Sequence, residues 1–229
     1  MEGIHLQSGF DVGREALKWI AIATMTIDHI GAVLYPDITV LRIVGRLALP
    51  IFCYLLTLGV KSEIKVRSYI VRLFSFALIA QVPYSLAFGY KFFDSPNILF
   101  TLFLGVIILQ NPLAFGVPII IVTCILYILN FDLGLYEMIA ILCMHTLNDD
   151  VAMGVILFIL FNVLYAIIGV PIQIFAVAAL PIIFLYKSGH LKIRKANKDS
   201  AYPKWRQYFF YIYYPLHLTA LYLIKISFF

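Results

Sequence analysis

The sequence predicts an all-α protein: a polytopic bundle of transmembrane helices that forms a single domain over residues 1–229. Two observations support this fold class. First, 63% of the 229 residues are hydrophobic and only 13% are charged, with a mean hydropathy of +0.97. A soluble domain carries about 25% charged residues, because its surface must be polar enough to face water. Second, the apolar residues fall into long runs separated by short polar connections, as expected of helices that cross a bilayer.

Nine apolar runs are long enough, or nearly long enough, to form helices that cross the membrane. They cover residues 16–35, 41–60, 68–89, 97–110, 114–130, 134–147, 152–168, 170–187 and 207–227. The fourth and sixth runs are short for a full crossing, which takes about 20 apolar residues. The prediction is therefore about nine spans, with roughly eight to ten as its range.

The distribution of basic residues predicts the orientation. The connection after the second run is flanked by Lys61, Lys65, Arg67 and Arg72, and the one long polar loop, 187–206, contains seven Lys and Arg residues. Both connections should be cytoplasmic, since short cytoplasmic loops carry an excess of Lys and Arg. Six predicted crossings separate them, an even number, so the N-terminus is predicted to be cytoplasmic and the C-terminus to lie outside.

Four prolines lie inside the apolar runs, where a missing N–H and a clash with the preceding turn bend a helix. We expect kinks at Pro50, Pro118, Pro181 and Pro215. The other prolines, Pro83 among them, lie near predicted helix ends.

Four ionisable residues lie inside the predicted spans, where charge is costly and therefore indicates a functional site. Asp28 and His29 follow each other in the first run, Arg46 lies in the second and His217 in the last. His29 is roughly 7–8 Å below the outer end of its helix, at a rise of about 1.5 Å per residue, and Arg46 should lie at the same level. We expect Asp28 to pair with Arg46 and also to reach an imidazole. The alternative is an ion pair that only joins the first two helices.

Several further polar residues have two possible roles. Arg42 shares a helix face with Arg46, and like charges at that spacing repel. Either Arg42 reaches the outer headgroups, or both arginines surround an anion. Asn97 opens the fourth helix and either caps it or contacts a ligand, Gln81 can form a hydrogen bond between helices, and Tyr214 either lines a site or packs. Glu137 and His145, on one face of the sixth helix, are weaker candidates.

The three cysteines, Cys53, Cys124 and Cys143, lie in apolar runs without metal-ligand spacing. They are predicted to be small apolar residues of the core. No metal site and no nucleic-acid partner are expected.

Four segments, in this order, resemble the TraX family of bacterial membrane proteins over about Leu17 to Leu223. They are LKWIAIATMTIDHIGAVL, LRIVGRLALPIFCYLL, NILFTLFLG and FFYIYYPLHLTALYLI. The family is named for the acetylase that N-acetylates conjugative pilin, and it is more remotely similar to membrane acyltransferases that modify sugars and envelope polymers. The resemblance implies a multi-pass protein of the bacterial cytoplasmic membrane. Its motif positions here are Asp28, His29, Gly45, Arg46, Pro50, Asn97 and His217, with Arg42 a less firm match.

The resemblance implies an acetyl-CoA-dependent acyltransferase surrounded by membrane lipid, whose acceptor is a peptide amine, a sugar hydroxyl or a lipid headgroup. Acyl transfer needs a base and a group that stabilises the oxyanion. We expect His29 to be the base, with its tautomer set by Asp28 or a nearby polar group. Arg46 would stabilise the oxyanion or bind a phosphate of CoA, and His217 would be a second acid/base or an acyl carrier. The other expected roles are orientation of the acceptor by Asn97 and binding of substrate or CoA by Arg42, Tyr214, Lys61, Lys65 and Arg67.

CoA is cytoplasmic, whereas the expected site lies toward the outer face, so the pantetheine arm would have to pass between helices. Two other functional classes stay open. A small-solute or proton-coupled transporter also places Asp, His and Arg near the midplane, although it usually shows related halves. A non-catalytic membrane assembly factor would not need two histidines at the same depth.

Overall fold

The computed structural model describes residues 11–62, 66–92, 95–128, 133–190 and 204–228, and these are almost entirely helical. The α-helices are α1 (Val12–Val33), α2 (Thr39–Gly45), α3 (Ala48–Ser62), α4 (Val66–Phe88), α5 (Ile98–Gln110), α6 (Val117–Ile128), α7 (Leu135–Asp149), α8 (Val151–Ile167), α9 (Ala179–Lys187) and α10 (Lys204–Phe228). A π-helical turn, Pro112–Gly116, precedes α6, and a 3₁₀ segment, Pro171–Ala178, precedes α9. The described residues contain no strand, so the all-α prediction is confirmed.

The helices join into nine rods within the described part of the chain, one for each predicted run. Three rods contain an irregular part: a two-residue turn separates α2 from α3, the π-helical turn continues directly into α6, and the 3₁₀ segment continues directly into α9. Three rods are long and apolar enough to cross a membrane, namely Val12–Val33, Thr39–Lys61 and Val66–Phe88. Four shorter apolar rods accompany them: Ile98–Gln110, Pro112–Ile128, Val151–Ile167 and Pro171–Lys187. The number of crossings and the side of the N-terminus stay predictions.

Prolines determine where these rods are interrupted. Because proline clashes with the carbonyl four residues before it, regular helix is disfavoured at that point. Pro50, Pro118 and Pro181 each lie in the first turn of α3, α6 or α9, directly after the interruption. The regularity of the helix thus changes just before each of these three prolines, while the kinks expected there stay predictions. Pro215 lies within the continuous helix α10, and Pro83 is inside α4 and not near a helix end as predicted.

Helix α1 is central to the bundle, because it packs against α2, α3, α4, α9 and α10. A second group forms around α7, which packs against α3, α5, α6 and α8. Glycines permit the closest approaches: a Cβ at Gly154 would collide with the backbone of Leu147, and one at Gly105 would collide with Ile141. The helix axes approach closely at these points since no side chain separates them.

Polar contacts show which helix ends lie together. At one end of the bundle, Lys61 binds Asp149, and Lys187 donates to the carbonyl of Leu147 at 2.7 Å. The hydrogen bond from Lys61 also lowers the pKa of Asp149. These contacts place the C-terminal ends of α3, α7 and α9 at one end of the bundle. The ion pairs of Asp28, described next, lie toward the other end.

Candidate functional site

The carboxylate of Asp28 binds two arginines. Nη2 of Arg46 donates to Oδ1 at 2.7 Å, and Nη1 of Arg42 donates to Oδ2 at 2.9 Å. Arg42 Nη1 also reaches the carbonyl oxygen of Asp28 at 3.1 Å. The predicted Asp28–Arg46 pair is thus confirmed, and Arg42 joins it. The anion between the two arginines here is the carboxylate of Asp28 itself, and both roles considered for Arg42, reaching the outer headgroups or surrounding a phosphate or oxyanion with Arg46, stay predictions.

Arg46 is held from three sides. Besides Asp28, its Nη1 donates to Oε1 of Gln173 at 3.0 Å, and its Nε donates to the carbonyl of Arg42 at 3.3 Å. Gln173 lies in the 3₁₀ segment and is buried. The network therefore joins three separate parts of the chain, which are α1, the α2–α3 turn and the segment before α9. An arginine bound by all three of its nitrogens has a fixed position and orientation.

Gly45 brings α2 close enough to α1 for these bonds to form. A Cβ at Gly45 would overlap the side chain of Asp28, and one at Gly31 would lie 2.7 Å from Cβ of Leu41. Larger residues at either position would push the two helices apart. This explains why glycine directly precedes arginine here: Gly45 leaves space for the carboxylate of Asp28, and Arg46 binds that carboxylate.

His29 and His217 form a hydrogen-bonded pair of imidazoles. His29 Nδ1 lies 2.7 Å from His217 Nε2, and the two ring planes are inclined by only 2°. An N–N distance this short is a hydrogen bond in the ring plane and too short for face-to-face stacking. The rings are therefore edge to edge. The prediction that the two histidines lie at one depth is confirmed.

The backbone fixes the direction of this hydrogen bond. His217 Nδ1 lies 2.9 Å from the carbonyl oxygen of Tyr213, which can only accept. In a neutral pair, His217 carries its proton on Nδ1, and its Nε2 accepts from Nδ1–H of His29. His29 Nε2 then has a lone pair and no hydrogen-bond partner among the described residues. The group that sets the tautomer of His29 is therefore His217 and not Asp28.

Aromatic and hydroxyl groups hold the two imidazoles in place. The ring of Phe88 meets that of His29 edge to face at 5.5 Å, and the buried ring of Tyr214 contacts both histidines. The hydroxyl of Tyr213 lies 2.7 Å from that of Thr26. Thr26 donates to a carbonyl of its own helix, so Tyr213 is the donor of this bond between α10 and α1.

The ion network and His29 line one cavity of about 310 Å³. Its polar lining comprises Asp28, His29, Arg42, Arg46, Tyr84, Tyr90, Ser95, Thr101, Glu137, Gln173 and Tyr214. Pockets for small molecules range from about 300 to 1,000 Å³. The cavity is therefore large enough for an acyl group and the atoms next to it, but not for a whole nucleotide thioester.

Asn97 has a structural role in this fold. Its Oδ1 caps α5 by accepting from the backbone of Leu99 at 3.0 Å, and its amide donates to Ala77 and Gln81. Gln81 thus makes the predicted hydrogen bond between helices. All polar atoms of the Asn97 side chain bond to the protein, which agrees with the capping alternative and leaves no atom to orient an acceptor.

Of the basic residues expected to bind CoA or its phosphates, Arg42 and Arg46 line the cavity, whereas Lys61 and Arg67 do not. Lys61 pairs with Asp149 at the opposite end of the bundle, about 22 Å from Arg46 at 1.5 Å per residue of α3. Arg67 is exposed in the first turn of α4, and Lys65 lies outside the described residues. A single acyl donor would have to span most of the bundle to use both places.

The sequence analysis did not identify Gln173, Tyr84, Tyr90 or Thr101 as part of the site. Gln173 gives the clearest signal, as a polar residue within the apolar run 170–187. Glu137, a weaker candidate, lines the cavity, whereas His145 lies near Asp149 at the other end. No group of three His, Cys, Asp or Glu side chains in the described part of the chain is placed to hold a metal.

The sequence of this chain is similar to those of known bacterial proteins. An uncharacterized protein of Rickettsia prowazekii is 38% identical over 92 residues, which are 40% of this chain and 34% of that protein. A probable fimbrial assembly protein, FimC of serogroup H1 from Dichelobacter nodosus, is 28% identical over 245 residues, covering 94% of this chain and 97% of that protein. No solved structure matches significantly. The family model described as TraX protein matches residues 13–225, which include every residue of the cavity, and the chain is therefore a helical membrane protein of the TraX family.

Proposed function

We propose that this protein is an acyltransferase of the bacterial cytoplasmic membrane that moves an acetyl group from acetyl-CoA to an amine or hydroxyl of an envelope acceptor. The observation that supports this most directly is the lone pair of His29 Nε2. It belongs to an imidazole whose Nδ1 is hydrogen-bonded to His217, and His29 lines a cavity beside two arginines. That arrangement suits a general base.

Each part of the site has a role in this reaction. The acceptor nitrogen or oxygen attacks the thioester carbonyl carbon while His29 Nε2 takes its proton. The positive charge on His29 is shared with His217 through their hydrogen bond. As the C–S bond breaks, the departing thiolate of CoA receives this proton and leaves as the free thiol. The net charge of Asp28, Arg42 and Arg46 is +1 (two arginines, one carboxylate), which favours the negative charge that develops on the carbonyl oxygen.

The position of the cavity is compatible with an acceptor outside the cytoplasm. If the N-terminus is cytoplasmic, His29 lies toward the outer end of α1. The similarity to a probable fimbrial assembly protein over nearly the full length favours a pilin-type subunit as the acceptor. The volume of the cavity supports entry of the acetyl end of the donor alone.

The decisive experiment measures thiol release from acetyl-CoA, and acetyl transfer to pilin-type peptides, by the purified protein in nanodiscs. We expect His29→Ala to reduce the rate by about 10²- to 10⁴-fold, the usual contribution of a general base. His217→Ala should cause a smaller loss, because it removes only the partner that fixes the tautomer. His145→Ala is the matched control, since it deletes the same side chain at the other end of the bundle, and it should keep the wild-type rate. Equal rates in all four proteins would refute the role of His29.

A non-catalytic assembly factor is the second candidate, and the similarity to the Dichelobacter protein is the observation in its favour. The two functions differ in one result. If the protein is an assembly factor, the His29→Ala variant still supports pilus formation in cells. If it is an acyltransferase, cells with the His29→Ala variant produce pilin subunits that lack the modification. A small-solute transporter would instead give flux into liposomes without any acyl donor.

A further inference from the structure

The guanidinium of Arg42 uses only one of its three nitrogens within the described protein. Nη1 donates to two oxygens of Asp28, the carbonyl oxygen at 3.1 Å and Oδ2 at 2.9 Å. Nε and Nη2 have no acceptor among the described residues. Since a guanidinium has five N–H groups in a fixed fork, three of them are left for a ligand.

Arg46 differs in this respect, although it lies four residues away and binds the same carboxylate. Each of its three nitrogens donates to the protein, to Arg42, Gln173 or Asp28. Its side chain is 19% exposed, compared with 30% for that of Arg42. Arg46 thus joins the parts of the network, whereas Arg42 has the unused donors and the more exposed side chain.

The unused donors of Arg42 are arranged to bind two oxygens at once. Nε–H and one Nη2–H point in the same direction along one edge of the planar group, the geometry in which arginine binds phosphate and carboxylate bidentately. Arg42 lines the cavity of His29, and so does Tyr90, whose side chain is exposed there. The hydroxyl of Tyr90 provides a further donor in the lining of the same cavity, which suits the additional oxygens of a tetrahedral group.

We propose that the Nε–Nη2 edge of Arg42, together with Tyr90, binds a phosphate group of a molecule that enters the His29 cavity. This goes beyond the proposed acyl transfer, because binding of the phosphate requires no turnover. Two sources have this chemistry, a nucleotide and a phospholipid headgroup. Oδ2 of Asp28 binds Nη1 of Arg42. The guanidinium is therefore oriented before the ligand arrives, and less conformational entropy is lost on binding.

The test is a binding measurement on the whole protein in micelles of a phosphate-free maltoside detergent, by ³¹P line broadening of the probe. The two probes are adenosine 3′,5′-bisphosphate and a short-chain phosphatidylglycerol. Arg42→Gln should weaken binding of one probe by about 10- to 100-fold, the value of a charge-assisted pair of hydrogen bonds. A loss seen with the nucleotide alone identifies a nucleotide site, and a loss seen with the lipid alone identifies a headgroup site.

Arg42→Lys addresses the chance that Arg42→Gln weakens the fold. Lysine keeps the positive charge beside Asp28 but has no parallel pair of donors, so we expect about a tenfold loss of phosphate binding in a normally folded protein. Arg72→Gln is the matched control, because Arg72 is not among the residues that line the cavity, and it should bind the probe like wild type. The proposal is overturned if neither probe binds the wild-type protein, or if both Arg42 variants bind the probes as tightly as wild type does.

Discussion

Replacing Asp28 by Asn should destabilise the protein strongly, and a second substitution should recover part of the loss. Asn has the same shape as Asp, so the change removes charge without leaving a cavity. The two arginines are then paired with a neutral amide, and the net charge of the network rises from +1 to +2. Removing one partner of a buried ion pair costs about 3–5 kcal/mol. Because these side chains are 14–30% exposed, we expect the lower end, about 3 kcal/mol.

Arg42→Gln in the Asp28→Asn background restores the net charge of the network to +1. Residues that share a hydrogen-bond network are coupled by about 0.5–3 kcal/mol. We therefore expect the double variant to be more stable than the sum of the two single effects predicts, by about 1–2 kcal/mol. A coupling of this sign requires that Arg42 and Asp28 interact directly, as their 2.9 Å bond indicates.

The free energies of unfolding can be measured by titrating the protein in mild micelles with a denaturing detergent and following tryptophan fluorescence. Asp37→Asn is the matched control, because Asp37 is exposed in the α1–α2 connection and its loss should change stability by less than about 0.5 kcal/mol. The reasoning is refuted if Asp28→Asn is as mild as Asp37→Asn. It is also refuted if the effects of the two site substitutions simply add.

Three further predictions follow from the packing and the charge pattern. Gly45→Ala should cost about 1–3 kcal/mol or more in unfolding free energy, because the new Cβ overlaps a carboxylate, whereas Gly59→Ala in α3 meets only ordinary contacts and should be tolerated. Asn97→Ala should lower stability by about 2 kcal/mol, since it removes a helix cap and leaves buried polar groups unpaired. Single cysteines in place of Asp37 and Lys198 should be labelled by a membrane-impermeant thiol reagent from opposite sides of the membrane; labelling from one side would contradict the predicted orientation.

The sequence was sufficient to predict the helices because their signal is local. Each of the nine apolar runs corresponds to one rod in the described part of the chain, and the irregular turns follow from single prolines. The two short rods were also predictable, since α5 with 13 residues and α7 with 15 correspond to the fourth and sixth runs and are shorter than the roughly 30 Å of bilayer hydrocarbon. The contacts of these short rods depend on the tertiary packing, and hydropathy carries no information about that packing.

The candidate site was predictable only in part for the same physical reason. Asp28, His29, Arg46 and His217 could be identified because ionisable groups are rare in apolar helices. Which of these residues pair with each other could be predicted only in part, because Asp28 and His29 are neighbours in sequence but point to different sides of α1. Consequently Asp28 binds the arginines, while His29 turns to α10 and meets His217. Hydrogen-bond directions depend on distances between helices, which a single sequence does not give.

Two prolines connect the fold to the site. Pro50 disfavours regular helix at Arg46, four residues earlier, and the chain turns there at the end of α2. Pro181 has the same effect at Val177, within the 3₁₀ segment that carries Gln173. The hydrogen bond between Arg46 and Gln173 therefore joins two interruptions, each caused by a proline a few residues further along. Irregular backbone at membrane depth is stable only where protein or a polar cavity satisfies its groups. The cavity beside His29 and the two interrupted rods thus depend on each other, because the interruptions place the side chains that make the cavity polar.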